Sequence, residues 1–165
     1  MILQLSLSLP DDESYIRTTR LLSRTLMEDI QVIKADIDDV ETIVGELCSN
    51  VVRHAHLKSA HYKVVLEFYE PRVVITVTDE GRGFDVEDVS EIGAPRLDLD
   101  GSERLGGFGM LLLEGLSDRI DFTETYPHGT TVRVEKKLHY QTPAAVKEAI
   151  NTDKGTGGQA VVGMN

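Results

Sequence analysis

The chain has 165 residues, 41% hydrophobic and 27% charged, which is enough to close one domain around a core and too apolar for a disordered segment. Its 17 basic against 28 acidic residues leave a net charge of −11, which argues against nucleic acid as the main partner, because a phosphate backbone needs a basic footprint. One cysteine, Cys48, excludes an internal disulfide and an all-cysteine metal site, and it suits a reducing compartment.

Residues 2–9, Ile-Leu-Gln-Leu-Ser-Leu-Ser-Leu, alternate apolar with polar and carry no basic flank. They predict a strand rather than a signal peptide, and Pro10, Asp11 and Asp12 end it. No apolar run approaches the roughly 20 residues that span a bilayer, so a cytoplasmic protein without a membrane partner is expected. A helix is predicted from about Glu13 to Ile30, with Ile16, Leu21, Leu22, Leu26 and Met27 as its apolar side. A second helix begins near Asp36 or Asp38, its stripe formed by Ile37, Val40, Ile43, Val44, Leu47, Val51 and Val52. Two strands follow, Tyr62 to Tyr69 and Arg72 to Thr78, hinged at Glu70-Pro71 as an antiparallel hairpin. From Val86 to Leu105 the periodicity is lost, and a functional loop is expected there. Phe108 to Leu116 predicts a third helix; Arg119 to Thr125 and Thr131 to Leu138 predict a closing hairpin around the turn Tyr126-Pro-His-Gly129. Runs of antiparallel strands with helices on one face make an α+β two-layer sandwich. The segment from Gln141, which carries the run Gly155-Thr-Gly-Gly158, reads as a mobile tail.

Four short segments carry the chemistry. Glu46, Asn50 and His54, in Glu46-Leu-Cys-Ser-Asn50-Val-Val-Arg-His54-Ala, stand four apart and stack on one helical face. A solvent-facing polar edge would look the same, but Asn is a mediocre helix former and invites a second explanation. An amide oxygen suits Mg²⁺, which keeps waters and borrows ligands from phosphates. Asp79 ends a valine-rich strand, with Gly81 and Gly83 just beyond it in Asp79-Glu-Gly81-Arg-Gly83-Phe-Asp. That is either a glycine turn capped by its own Asp or an opening that admits a flat ring. Gly106-Gly107-Phe108-Gly109-Met110 stands at a helix start, where backbone N–H groups and the helix dipole favour phosphate. Gly129-Thr130-Thr131 opens the last strand and alone would be an ordinary turn. There is no P-loop and no protein-kinase signature set, and His54 and His56 lack metal-cluster spacing.

In their order and spacing these segments resemble the N, G1, G2 and G3 boxes of the GHKL ATPase superfamily, over roughly residues 1–139. Within it, the chain is most similar to the anti-sigma-factor serine-protein kinases. The resemblance implies the Bergerat ATP-binding fold: a mixed, mostly antiparallel sheet covered on one face by three helices, in a domain of residues 1–140 with a flexible tail at 141–165. It implies ATP and Mg²⁺ as cofactors, Asn50 as metal ligand and Glu46 as general base or water organiser. Asp79 would accept from the adenine amino group, Gly81 and Gly83 would admit the ring, and Thr130 would support the adenine end. Gly106, Gly107, Phe108, Gly109 and Met110 would face the phosphates, although the family has an aliphatic residue where Phe108 stands. The loop from Val86 to Leu105 would be an ATP lid, with Arg104 either reaching the γ-phosphate or the partner or standing as a solvated surface arginine.

The function so implied is a serine/threonine-protein kinase and anti-sigma factor. It would phosphorylate a small STAS-type anti-sigma-factor antagonist, regulate a sigma factor and touch no nucleic acid directly; a homodimer is open. The alternatives are a partner-sequestering module with little kinase activity and a detached histidine-kinase catalytic domain.

Overall fold

A computed structural model describes residues 1–54, 61–79, 96–97, 103–104, 108–124 and 129–141. The elements are β1 (Leu3–Pro10), α1 (Ser14–Asp29), α2 (Lys34–His54), β2 (His61–Tyr69) and β3 (Arg72–Asp79). Then come β4 (Arg96–Leu97), β5 (Glu103–Arg104), α3 (Phe108–Leu116), β6 (Arg119–Glu124) and β7 (Thr130–Lys137). Five strands form one sheet in the order β1-β2-β3-β7-β6. Every pairing within it is antiparallel, so the expected parallel component of a mixed sheet is not found among the described residues. The predicted α+β sandwich is otherwise what is observed. Between Val86 and Leu105, β4 and β5 pair as a two-stranded ladder, Arg96 opposite Arg104, where the sequence read as loop throughout.

One face of the sheet makes the core. Tyr62, Val64, Leu66 and Phe68 of β2 and Val73, Ile75 and Val77 of β3 are buried at every second position, as the pleat requires. They meet Ile37, Val40, Ile43, Val44, Leu47 and Val51 of α2, the stripe predicted from its spacing, while Val52 is half-buried at its edge. The other face carries charge instead: Arg72 reaches Glu135 at 3.8 Å, and Arg119 reaches Asp121 at 2.8 Å.

The apolar side of α1 differs from expectation. Met27 is buried and Ile16 and Leu26 pack on the core, but Leu21 is 59% exposed and Leu22 39%. Thr19 and Ser23 are buried in their stead. Each hydroxyl donates to a carbonyl of its own helix, Thr19 Oγ1 to Tyr15 O at 2.9 Å and Ser23 Oγ to Arg20 O at 2.7 Å, so neither brings an unmet polar group into the interior. Close approach of α1 to α2 also depends on Gly45, where a Cβ would stand 3.2 Å from Cδ of Arg20. Arg24 joins the two helices by pairing with Glu41 and with Asp38 at 2.8 Å.

The chain leaving β7 is fastened under the α1–α2 turn. Ile33 N donates to His139 O at 2.9 Å, Gln141 N to Gln31 O at 2.7 Å, and Val32 bridges Tyr140. Gln141, expected to begin the tail, is thus tied to the domain; residues 142–165 lie outside the described residues. Asp36, 6% exposed, accepts from the His139 N–H at 2.5 Å and faces its Nδ1 at 3.0 Å. Asp36→Ala would leave that N–H without its acceptor. A loss of about 1–3 kcal/mol is expected, read as a lower denaturant midpoint with an unchanged slope.

Candidate nucleotide site

The register of the sheet assembles one end of the site. Leu9 of β1 stands opposite Tyr62, and Asp79 opposite Thr130. Lys63 pairs with Thr78, so one step further along the two strands Tyr62 falls beside Asp79. Leu9, Tyr62, Asp79 and Thr130 therefore form one transverse row with their side chains on the helix-covered face, since neighbours across strands share a face. Leu9, Tyr62 and Thr130 are buried, and Asp79 is half-exposed. Thr131 projects the opposite way and is 3.0 Å, hydroxyl to hydroxyl, from Thr78. Of the two adjacent threonines, Thr130 is the one placed beside Asp79. Gly129, just before it, has φ of 125°, a backbone region where a side chain is strained.

The middle of α2 lies over this row. Cys48, buried between Glu46 and Asn50 in sequence, has its thiol beside the Tyr62 hydroxyl. Burial pushes the Cys48 thiol up to about 11, against the lowering effect of that hydroxyl, so it stays protonated and unreactive near neutral pH. Glu46 and Asn50, on either side of it, are half-exposed. Glu46 reaches across to α3, where a Cβ built on Gly109 would stand 2.5 Å from Glu46 Oε2. The carboxylate thus lies against the first turn of α3 in space that a bare glycine leaves free, at the end where the helix dipole favours negative charge. Met110, next along α3, is buried in the core.

Other predicted positions are described less fully. Gly81, Gly83, Gly106 and Gly107 lie outside the described residues. Arg104 is placed by its backbone in β5, opposite Arg96, and Phe108 opens α3; their side chains, like that of His54, are outside what is described. Among the described residues no three His, Cys, Asp or Glu side chains gather as a metal cluster. A single amide oxygen at Asn50 fits Mg²⁺ that arrives with phosphates and waters, the coordination this ion prefers. No helix among the described residues is long and apolar enough to cross a membrane.

Two residues at this end were not singled out from the sequence, Asp11 and Tyr62. Tyr62 had read only as the start of a strand. Its alternation with Val64 and Leu66 does mark it as inward-facing, but only the strand register shows that it neighbours Asp79.

An antiparallel sheet in this order, with α2 and α3 on one face and a polar row at its end, is the GHKL ATPase fold. The chain belongs to the histidine kinase-like ATPase domain family, whose model matches residues 9–136. It is 29% identical over 125 residues to the serine-protein kinase RsbW of Halalkalibacterium halodurans, covering 73% of this chain and 75% of the relative. To RsbW of Bacillus subtilis it is 27% identical over 139 residues, covering 82% and 86%. Among solved structures, that of the RsbU and RsbW domains of Rv1364c from Mycobacterium tuberculosis matches with a TM-score of 0.61 at 19% identity. The match covers 85% of this chain and 35% of that one. A chain of the SiaB–SiaC complex from Pseudomonas aeruginosa matches at 0.61 and 16% identity, over 79% of this chain and 88% of that one. Both structures share the fold.

Proposed function

We propose that this chain is an ATP-dependent protein-serine/threonine kinase that phosphorylates a small anti-sigma-factor antagonist and, as an anti-sigma factor, regulates a sigma factor. The observation that carries the reading is the convergence of five distant segments. Glu46 lies against Gly109, Cys48 beside Tyr62, and Tyr62 in one row with Asp79 and Thr130. Relatives named serine-protein kinases, aligned over about four-fifths of the chain, support the choice of acceptor.

In this reading Asp79 accepts a hydrogen bond from the adenine amino group, and Thr130 supports the same end. Asn50 supplies an oxygen to Mg²⁺, which neutralises phosphate charge when bound. Gly109 in the first turn of α3 faces the phosphates through backbone N–H groups, and Gly106 and Gly107, just before it in sequence, are assigned the same role. Glu46 orients the acceptor hydroxyl or takes its proton. Proton removal is favoured in the transition state, where the hydroxyl becomes acidic. Arg104, at the end of the lid segment, engages the γ-phosphate or the partner.

Asp79→Asn is expected to lower ADP affinity by about 1.5–3 kcal/mol, the weight of a hydrogen bond to a charged group. Calorimetric titration reads this directly, and unchanged affinity would remove Asp79 from the pocket. The function itself is tested with γ-labelled ATP and a co-purified small partner protein. Acid-stable label on the partner, at Ser or Thr, is expected. Acid-labile label would mean a histidine acceptor, and no label at all a binding module.

A further inference from the structure

Among the described residues, two buried oxygens beside the row of Asp79 make no hydrogen bond of good geometry: Oδ1 of Asp11 and the hydroxyl of Tyr62. Buried polar atoms are paired in the great majority of cases, so each exception asks for a reason. Tyr62 is 2% exposed, and its hydroxyl is flanked by the Cys48 thiol and the charge of Asp11. Asp11 follows Leu9, the β1 member of the same row, by two residues. Burial, then the charges of Asp12 and Asp79, raise the Asp11 carboxyl above its ordinary range, which places it within the electrostatic reach of Asp79. Asp12 turns away to accept from the Ser14 N–H at 2.8 Å, leaving Asp11, among the described residues, as a second carboxylate of this end.

We propose that Asp11, positioned by Tyr62, is a specificity-determining residue of the adenine pocket, adding a carboxylate beside Asp79 so that the site takes a purine with an amino group at C6 and rejects one with an oxo group there. The proposal rests on the assignment of Asp79 to adenine. An exocyclic amine presents donor hydrogens and positive partial charge, whereas an oxo group presents lone pairs. One carboxylate already prefers the first. A second, partly withdrawn from water, deepens the preference, because its field is weakly screened there. Burial also raises the Tyr62 hydroxyl, keeping it neutral and a donor. Lying near the Asp11 charge, it is the group proposed to keep that carboxylate turned toward the row. This discrimination acts through the electrostatic field and needs no direct contact between Asp11 and the base.

The test compares ADP with IDP, which carries the oxo group at C6, by calorimetry on the full chain. In Asp11→Asn the preference for ADP over IDP should fall about tenfold, chiefly because IDP binds better. In Tyr62→Phe it should fall in the same direction. Both variants keep the shape of the side chain, and each carries the prediction independently, so loss of fold in one leaves the other decisive. An unchanged ADP to IDP ratio in a variant whose thermal unfolding matches the parent overturns the proposal. Asp79→Asn runs beside them. If it leaves ADP affinity intact, the adenine assignment fails; if it weakens ADP while Asp11→Asn leaves the ratio unchanged, only the role of Asp11 fails.

Discussion

Asn50→Ala is expected to reduce ATP turnover by roughly 10²- to 10³-fold while the protein stays folded. Asn50 lies on α2 at the half-exposed edge of the helix, not in the stripe of Val44, Leu47 and Val51 that fills the core. Truncating it opens no core cavity, and alanine is the better helix former by several tenths of a kcal/mol. The loss should therefore fall on the chemistry: an oxygen is removed from the place where Mg²⁺ would meet the phosphates, and the stability of the helix is retained or improved. Labelled phosphotransfer and thermal unfolding measured on one preparation separate the two effects. Transfer at the parent rate would remove Asn50 from the site.

Gly109→Ala should lower kcat by about 10²-fold with a much smaller change in KM for ATP. The new methyl would stand 2.5 Å from Glu46 Oε2, closer than atoms approach, so the carboxylate must swing away from α3. A flexible Glu can do so at little cost in stability, and replacing a helical glycine by alanine contributes up to about 1 kcal/mol in favour of the fold. Stability and activity should thus move in opposite directions. The contribution at stake is that of a positioned base, about 10²- to 10⁴-fold. A double-mutant cycle identifies the cause: in Glu46→Gln, which lacks the base already, adding Gly109→Ala should cost little more. Fully additive losses would mean that Gly109 acts on the phosphates independently of Glu46.

The main helices and strands were legible because their signals are local. Alternation over residues 2–9 and 62–78 and the 3.6-residue spacing of α2 are each written within one element. The buried side of α1 was misread because Thr19 and Ser23 satisfy their own hydroxyls within the helix, a compensation hydropathy does not record. The β4–β5 ladder has two residues per strand, too few to show a period. Glu46, Asn50, Asp79 and Thr130 could be picked out as candidates from motif order. Asp11 and Tyr62 could not, because their nearness to Asp79 depends on which strands pair and in what register. The contact of Glu46 with Gly109 was hidden for the same reason, lying between helices far apart in sequence.

The most direct test of a single nucleotide site spanning α2, the end of β3, α3 and the start of β7 is an amide chemical-shift map recorded while Mg-ADP is titrated into the labelled chain. The largest shifts are expected at Glu46 to Asn50, Val77 to Asp79, Gly109, Met110 and Thr130, all saturating with one dissociation constant. Shifts confined to the outer face of the sheet, around Glu67, Arg133 and Glu135, or none at saturating nucleotide, would contradict it.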